Sequence, residues 1–215
     1  MKSDKDILKP VIECPPNGPY IVRNLENFQN SKGEKIQTNP AMLVCRCGGS
    51  ANKPFCDGTH ARIGFSGERL NDGSNDKRDN YTGRKITIHD NRSICAHSGF
   101  CTDGLPSVFR LGEEPWINPD AAEVEALIET IKKCPSGALS YSIENAEFRD
   151  QDREPMVLVS RDGPHYVRGG IELKDVPRAE GASKEHYTLC RCGGSKNKPF
   201  CDGTHWYIKF KDEKT

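Results

Sequence analysis

Short runs of β-branched and aromatic residues, separated by polar turn-forming segments, dominate the hydrophobic pattern of this chain. Two runs, 20–23 and 165–168, each follow a Gly-Pro turn and predict β-strands. Two more, 42–44 and 187–189, lead straight into cysteine-containing loops and predict strands that present those loops. The pattern is typical of a small, strand-rich protein.

The middle of the chain, 81–143, has a different pattern. Its ends, 85–89 and 138–143, predict short strands, and one helical segment lies between them. Asn118 can cap this helix and Pro119 suits its first position. The helix carries an apolar stripe made of Ala121, Val124, Leu127, Ile128 and Ile131. We expect this stripe to pack against the sheet of the same segment.

The regions on either side of this segment are copies of each other. Residues 45–60 (CRCGGSANKPFCDGTH) recur at 190–205 (CRCGGSKNKPFCDGTH), and the one difference is Lys196 in place of Ala51. Matching positions extend before the cysteines and beyond the histidine, so the copies form a duplicated module of about 48 residues.

Polar, turn-rich stretches at 67–80 and 144–154 predict linkers between the copies and the central segment. The predicted domains are a first unit at 1–66, an insert with its linkers at 67–150, and a second unit at 151–215. We expect an α+β, β-rich fold in which the two copies pair as a pseudo-twofold unit around the insert.

The composition indicates that this fold is stabilised by bound metal. Only 34% of the 215 residues are hydrophobic, 29% are charged and the mean hydropathy is −0.72, so the core is thin for the length. The chain contains ten cysteines. In a reducing compartment, clustered cysteines are more often metal ligands than disulfides.

Charge and hydropathy argue against two classes of partner. Lys plus Arg and Asp plus Glu each number 31, so nothing indicates binding to nucleic acid or to an anionic membrane surface. No apolar run approaches the roughly 18–20 residues that cross a membrane. The polar start, Met1–Asp6, leads into no secretory signal. We therefore expect a cytoplasmic protein.

Each copy carries the pattern C-x-C-x8-C-x3-H. The candidate ligands are Cys45, Cys47, Cys56 and His60 in the first copy, and Cys190, Cys192, Cys201 and His205 in the second. Structural zinc sites usually begin with C-x2–4-C, which this spacing does not match. Glycine pairs follow the first two cysteines and let the backbone approach a bulky inorganic core. A neutral imidazole in place of a thiolate also raises the reduction potential of an iron–sulfur centre.

These sixteen residues resemble the CDGSH iron–sulfur family, with Thr59 and Thr204 where the family name has Ser. The resemblance implies that the three cysteines and the histidine of each copy hold one [2Fe–2S] cluster. It also implies that the ligands are supported by hydrogen bonds from Ser50, Asp57, Ser195 and Asp202. Family members often form homodimers, so the chain is expected to be a monomer with an intramolecular pseudo-dimer, or a homodimer.

The insert contains a third candidate site, formed by Cys95, Cys101 and Cys134 in the pattern C-x5-C-x32-C-P. It resembles a small ferredoxin in which Ser98 stands where a fourth cysteine is expected. Three thiolates fit a [3Fe–4S] cluster, and a [4Fe–4S] cluster would need Ser98, His97 or water as its fourth ligand. Reduced cysteines in a degenerate ferredoxin that holds nothing are the remaining interpretation.

The sequence therefore predicts an electron-transfer or redox-sensing protein with a redox partner protein. A cluster-storage or cluster-transfer factor, whose partner is an apo-acceptor protein, is the second hypothesis, and a zinc-stapled interaction module is the third. We expect no enzyme with its own substrate, because the sequence offers no nucleophile–base set, phosphate loop or dinucleotide fingerprint.

Overall fold

The computed structural model describes residues 8–71, 73 and 76–212. Its strands are β1 (Val11–Glu13), β2 (Tyr20–Arg23), β3 (Phe28–Asn30), β4 (Ala41–Val44), β5 (Arg78–Thr82), β6 (Thr87–Asn91), β7 (Leu139–Ile143), β8 (Ala146–Phe148), β9 (Met156–Val159), β10 (His165–Arg168), β11 (Glu172–Leu173) and β12 (Tyr187–Leu189). Its α-helices are α1 (Thr59–Arg62), α2 (Phe100–Gly104), α3 (Val124–Lys132) and α4 (Thr204–Tyr207). The sequence-based prediction on Met1–Asp6, and part of the predicted 67–80 linker, lie outside the described residues.

The two copies exchange strands. The first copy builds an antiparallel sheet from β1, β2 and β4, and β11 of the second copy joins it in parallel beside β1. The second copy builds its sheet from β9, β10 and β12, and β3 of the first copy joins in parallel beside β9. This reciprocal exchange confirms the predicted α+β, β-rich fold, in which a pseudo-twofold relates the two units.

One hydrophobic core serves both copies. Strands β2 and β10, predicted at 20–23 and 165–168, have the expected bounds, and side chains alternate between core and surface along β2. The core contains Ile12, Tyr20, Val22, Leu25, Phe28, Met42 and Val44 from the first copy, and Val157, Val159, Val167, Ile171, Leu173, Tyr187, Leu189 and Phe200 from the second. Because neither copy encloses this core alone, the two copies are interdependent for stability.

The insert forms a separate antiparallel sheet in the order β5-β6-β7-β8. The strand predicted at 85–89 lies at 87–91, and the edge strands β5 and β8 fall where linker was expected. Both were missed because edge strands are short and polar: all three residues of β8 are exposed. The domain boundaries at 66/67 and 150/151 stay a prediction.

The predicted helix of the insert is divided. Asn118 caps a short 3-10 turn, Pro119–Ala121, through a hydrogen bond from the Asp120 N–H. Extended backbone at Ala122 then breaks the helical path, and α3 begins at Val124. The predicted packing of the apolar stripe is confirmed for four of its five residues, since Leu127 and Ile131 are buried in the core of the insert and Val124 and Ile128 pack against it. It is wrong for Ala121, which lies in the 3-10 turn before the break and is exposed.

In the described part of the chain, no helix is both long and apolar enough to cross a membrane.

Candidate metal centres

The first site is built on the loop that leaves β4. Cys45 and Cys47 follow this strand directly, both are buried, and their Sγ atoms lie 3.9 Å apart. The loop then folds back on itself, because the Cys45 N–H donates to the Pro54 carbonyl and the Cys56 N–H donates to the Leu43 carbonyl. The strand therefore positions both ends of the ligand loop.

The other two donors of the first site lie at the start of α1. The Cys56 Sγ is 3.3 Å from the His60 Nδ1, and His60 is the second residue of the helix. Gly58 makes this approach possible with a left-handed backbone (φ +85°), a conformation that glycine adopts without strain. The turn therefore brings a cysteine and a histidine four residues apart into direct contact.

The second site repeats this geometry. The Cys190 and Cys192 Sγ atoms are 3.8 Å apart, and the Cys201 Sγ lies 3.4 Å from the His205 Nδ1. Here His205 lies on α4, and Gly203 takes the left-handed conformation (φ +82°). All eight terminal donors predicted from the sequence thus come together in four close pairs.

The donors of each terminal site lie in two separate close pairs. Within the described residues, no three or more His, Cys, Asp or Glu side chains converge on one point that could hold a metal ion. Each terminal site instead offers one Cys–Cys pair and one Cys–His pair. A [2Fe–2S] cluster takes two protein donors on each of its irons, so the donor set fits that cluster.

Backbone N–H groups point at the ligand sulfurs. In the first site Gly49 N lies 3.4 Å from the Cys47 Sγ, and Gly58 N lies 3.4 Å from the Cys56 Sγ. The equivalent groups of the second site, Gly194 and Gly203, make the same contacts at 3.4 and 3.5 Å. Such donors stabilise the anionic thiolate, which is the form that binds metal.

The predicted supporting residues contact the ligand loops and not the ligand side chains. Ser50 Oγ donates to the Phe55 carbonyl at 2.7 Å, and Asp57 accepts the N–H groups of Ala51 and Thr59 at 2.8 and 3.0 Å. Ser195 and Asp202 make the equivalent bonds in the second copy. They therefore fix the shape of the loop between the second cysteine and the helix.

The three cysteines of the insert form the central site. Cys95 follows the 3-10 turn Arg92–Ile94, Cys101 lies on α2, and Cys134 follows the end of α3. Burial, followed by the neighbouring Cys134, raises the pKa of the Cys95 thiol to about 11 and of the Cys101 thiol to about 12. Cys95 and Cys101 thus both lie near enough to Cys134 for its charge to add to the effect of burial.

The alternative fourth ligands of the central site lie toward the second terminal site. His97 is within an aromatic edge contact of Tyr207, with ring centroids 6.5 Å apart. Ser98 lines a cavity of about 470 Å³ together with His205 and Trp206. Both side chains of this loop thus belong to the junction between the insert and the second copy.

Comparison with known proteins identifies the parts of the chain. The family model described as "Iron-binding zinc finger CDGSH type" matches residues 17–61 and 162–206, and the model described as "Divergent 4Fe-4S mono-cluster" matches residues 81–144. "Uncharacterized protein YjdI" of Escherichia coli strain K12 is 48% identical over 61 residues, which cover 28% of this chain and 80% of that protein.

"CDGSH iron-sulfur domain-containing protein 3, mitochondrial" of Homo sapiens is 36% identical over 56 residues, covering 23% of this chain and 44% of that protein. The mouse protein of the same name is 38% identical over 52 residues, covering 21% and 38%.

The chain belongs to the CDGSH iron–sulfur domain family.

It carries two CDGSH units on either side of the divergent 4Fe-4S domain, which supports the predicted binding of iron–sulfur clusters. No solved structure matches the chain.

The two CDGSH sites differ in exposure. In the second, Cys201 is 2% and His205 is 7% exposed, whereas Cys56 and His60 of the first are half-buried. Burial, with a smaller contribution from His97, lowers the pKa of His205 to about 4. His205 is therefore held in the neutral form that a metal ligand requires.

Sequence reasoning did not identify the arginine that separates the first two cysteines of each CDGSH unit. Arg46 is buried, donates to the Gly67 carbonyl at 2.9 Å and lies over the Tyr20 ring. Arg191 is buried beside Asp212 and donates to the Gly163 carbonyl at 2.8 Å. Both arginines bind backbone carbonyls outside the ligand loop, and the recurrence of the arginine in both copies was the available signal.

Proposed function

We propose that this protein is an electron-transfer or redox-sensing protein that carries a [2Fe–2S] cluster in each CDGSH unit. The observation that carries the proposal is the arrangement of four donors in two close pairs, with backbone N–H groups directed at the sulfurs. When bound, such a cluster accepts and releases one electron.

The chain's own groups would divide the binding as follows. Cys45 and Cys47 hold one iron, and Cys56 with His60 holds the other. The second unit does the same with Cys190 and Cys192, and with Cys201 and His205. The glycine N–H groups would stabilise the thiolates, and Arg46 and Arg191 would anchor the ligand loops through their bonds to the Gly67 and Gly163 carbonyls.

A third cluster in the insert completes the proposal. Cys95, Cys101 and Cys134 supply three thiolates, which match a [3Fe–4S] cluster. A [4Fe–4S] cluster would take its fourth ligand from Ser98, His97 or water. The family model that matches the insert is described as a divergent 4Fe-4S mono-cluster, which supports a cubane-type group at this position. The alternative is an empty, degenerate site, which metal analysis would distinguish from both cluster types.

An anaerobic redox titration followed by visible and electron paramagnetic resonance (EPR) spectra tests this function. We expect reversible one-electron reduction of both terminal clusters, since each site keeps its ligands on paired, hydrogen-bonded loops. Cys47→Ala and Cys192→Ala should each remove one of the two [2Fe–2S] signals. Irreversible bleaching on the first reduction would contradict an electron-transfer role.

The half-buried ligands of the first unit favour cluster storage or transfer as a second candidate function. Cys56 and His60 are partly accessible, and Asp57 and Gly58 between them are exposed, so an apo-acceptor protein could reach this cluster. Incubation of the reduced protein with an apo-ferredoxin, and separately with the oxidised holo-ferredoxin, would distinguish the two functions. Stoichiometric cluster loss to the acceptor supports transfer, whereas reduction of a holo-acceptor without iron loss supports electron transfer.

The remaining parts of the proposal concern partners and location. The partner would be a redox protein or an apo-acceptor, with no role for nucleic acid or membrane. Because the two copies already exchange strands within one chain, a monomer with an internal pseudo-dimer is the assembly that the fold favours over a homodimer. The proposed location is the cytoplasm.

A further inference from the structure

The insert contacts the second CDGSH site directly. The Asn197 side chain donates to the Ser93 carbonyl at 2.8 Å, and the Trp206 indole N–H donates to the His97 carbonyl at 2.8 Å. The His97 ring lies against Gly203, where a Cβ atom would come within 2.7 Å of the ring. Two hydrogen bonds and one close packing contact thus join the two ligand loops.

These contacts fall on residues that flank ligands on both sides of the junction. Ser93 and His97 lie two residues before and after Cys95 of the central site. Trp206 follows His205 of the second CDGSH site.

The first CDGSH unit lacks this contact at the equivalent positions. Asn52 and Ala61, which correspond to Asn197 and Trp206, are exposed. A Cβ atom at Gly58, which corresponds to Gly203, would have no described atom within 4 Å. Among the described residues, the insert therefore contacts one copy of the duplicated site at these positions and not the other.

Two of the residues that distinguish the copies contact segments between them. Trp206, in place of Ala61, donates to the insert, and the carbonyl of Lys196, in place of Ala51, accepts the N–H groups of Leu70 and Asn71 at 2.9 Å. The Trp206 contact depends on the side chain that differs from Ala61, so this part of the asymmetry is encoded in the repeat itself.

We propose that the two CDGSH units have different roles, because the second is coupled to the central site through the Ser93–His97 loop and the first is not. This inference rests on the proposed function. An electron exchanged across the junction reduces one site as it oxidises the other, with no proton or ligand transferred. Asn197 and Trp206 act as positioning residues, since their side chains hold the two ligand loops together through the Ser93 and His97 carbonyls.

Spectroscopy of single-site variants tests the coupling. Cys56→Ala leaves the second and central sites, and Cys201→Ala leaves the first and central sites. In fully reduced protein we expect the [2Fe–2S] EPR signal of Cys56→Ala to be broadened and fast-relaxing, since a paramagnetic central cluster lies next to it. The signal of Cys201→Ala should be narrower and slower-relaxing. Equal broadening in both variants, or the reverse order, would overturn the proposal.

The repeat supplies a matched control for the positioning residues. In the Cys56→Ala background, Asn197→Ala combined with Trp206→Phe should lose most of the broadening while the iron content stays the same. In the Cys201→Ala background, Asn52→Ala changes the equivalent loop position without an insert contact and should leave the spectrum unchanged. Retained broadening after loss of both contacts would contradict the assigned role.

Iron and sulfide analysis of the same samples distinguishes failure of the proposed division of roles from failure of the proposed function. Reducible clusters without selective broadening overturn the division of roles and leave the proposed function standing. Two terminal clusters with an empty centre also overturn the division of roles. Protein without any reducible cluster overturns both.

Discussion

At the scale of single residues, each CDGSH unit supports the ligand loop of the other. The Tyr20 hydroxyl of the first unit donates to the carbonyl of Cys190 at 2.8 Å and of Pro199 at 3.0 Å. At the equivalent position of the second unit, the His165 Nε2 lies 3.3 Å from the carbonyl of Cys45. Both side chains are fully buried, so these carbonyls are reached by protein donors and not by water.

Tyr20→Phe should therefore weaken the second site although Tyr20 lies in the first unit. The variant leaves two buried carbonyls without this donor, and we expect the free energy of unfolding to fall by about 1–3 kcal/mol. Urea denaturation of the iron-loaded protein measures the change. Tyr207→Phe, at a tyrosine that is 77% exposed, should change it by less than about 0.5 kcal/mol. Equal effects of the two variants would contradict the cross-unit support.

At the scale of secondary-structure elements, the two ligand loops meet backbone to backbone. Cys47 and Cys192 form an isolated antiparallel bridge. Gly48, with φ +79°, follows at this junction, and a Cβ atom there would lie 2.5 Å from the Cys192 carbonyl oxygen. The glycine after the second cysteine is thus needed both for its left-handed backbone and for the close approach of the other unit.

Gly48→Ala and Gly33→Ala separate these two requirements. Gly33 has the same φ of +79° but no described atom within 4 Å of its Cβ position. We expect Gly33→Ala to lower the free energy of unfolding by about 1–2 kcal/mol, the cost of a left-handed alanine. Gly48→Ala should cost clearly more, because the bridge must also shift. Denaturation curves that place the two variants within error of each other would refute the close junction.

The elements also show how far sequence reasoning reaches. The strands at 20–23 and 165–168 could be predicted, since local composition encodes them. The nearly identical repeat marks the candidate donors, whose role as ligands stays a prediction. The exchange of β3 and β11 could not be predicted, because their partners lie more than a hundred residues away and no local signal specifies a distant neighbour. The insert's contact with one site was equally hidden, although the Ala61/Trp206 difference between the copies marks where it occurs.

At the scale of the whole molecule, the few hydrophobic residues are divided between two large cores and a small cluster of Ile94, Ala138 and Ala179. With 34% hydrophobic residues, the chain fills one core shared by the CDGSH units and a second core in the insert. The ligand cysteines Cys45, Cys190 and Cys201 are themselves buried. Metal binding therefore contributes to folding, because the donors are brought together only in the folded chain.

Removal of iron by an anaerobic chelator should lower the free energy of unfolding by at least about 3 kcal/mol, as expected for ligands that bind only the folded state. Thermal unfolding before and after reconstitution measures this. Cys14→Val is a matched control: Cys14 packs against the shared core, and its equivalent in the second unit is Val159. This variant should keep its colour and iron content. Loss of iron from it would give Cys14 a ligand role that the structure does not assign.

The central claim is that the chain holds iron–sulfur clusters in both CDGSH units and in the insert. The most direct test is the iron, zinc and sulfide content, with a visible spectrum, of protein purified without oxygen. We predict a coloured protein with iron and sulfide for two [2Fe–2S] clusters and a further amount for the central site. A colourless, zinc-loaded protein without sulfide would contradict the account.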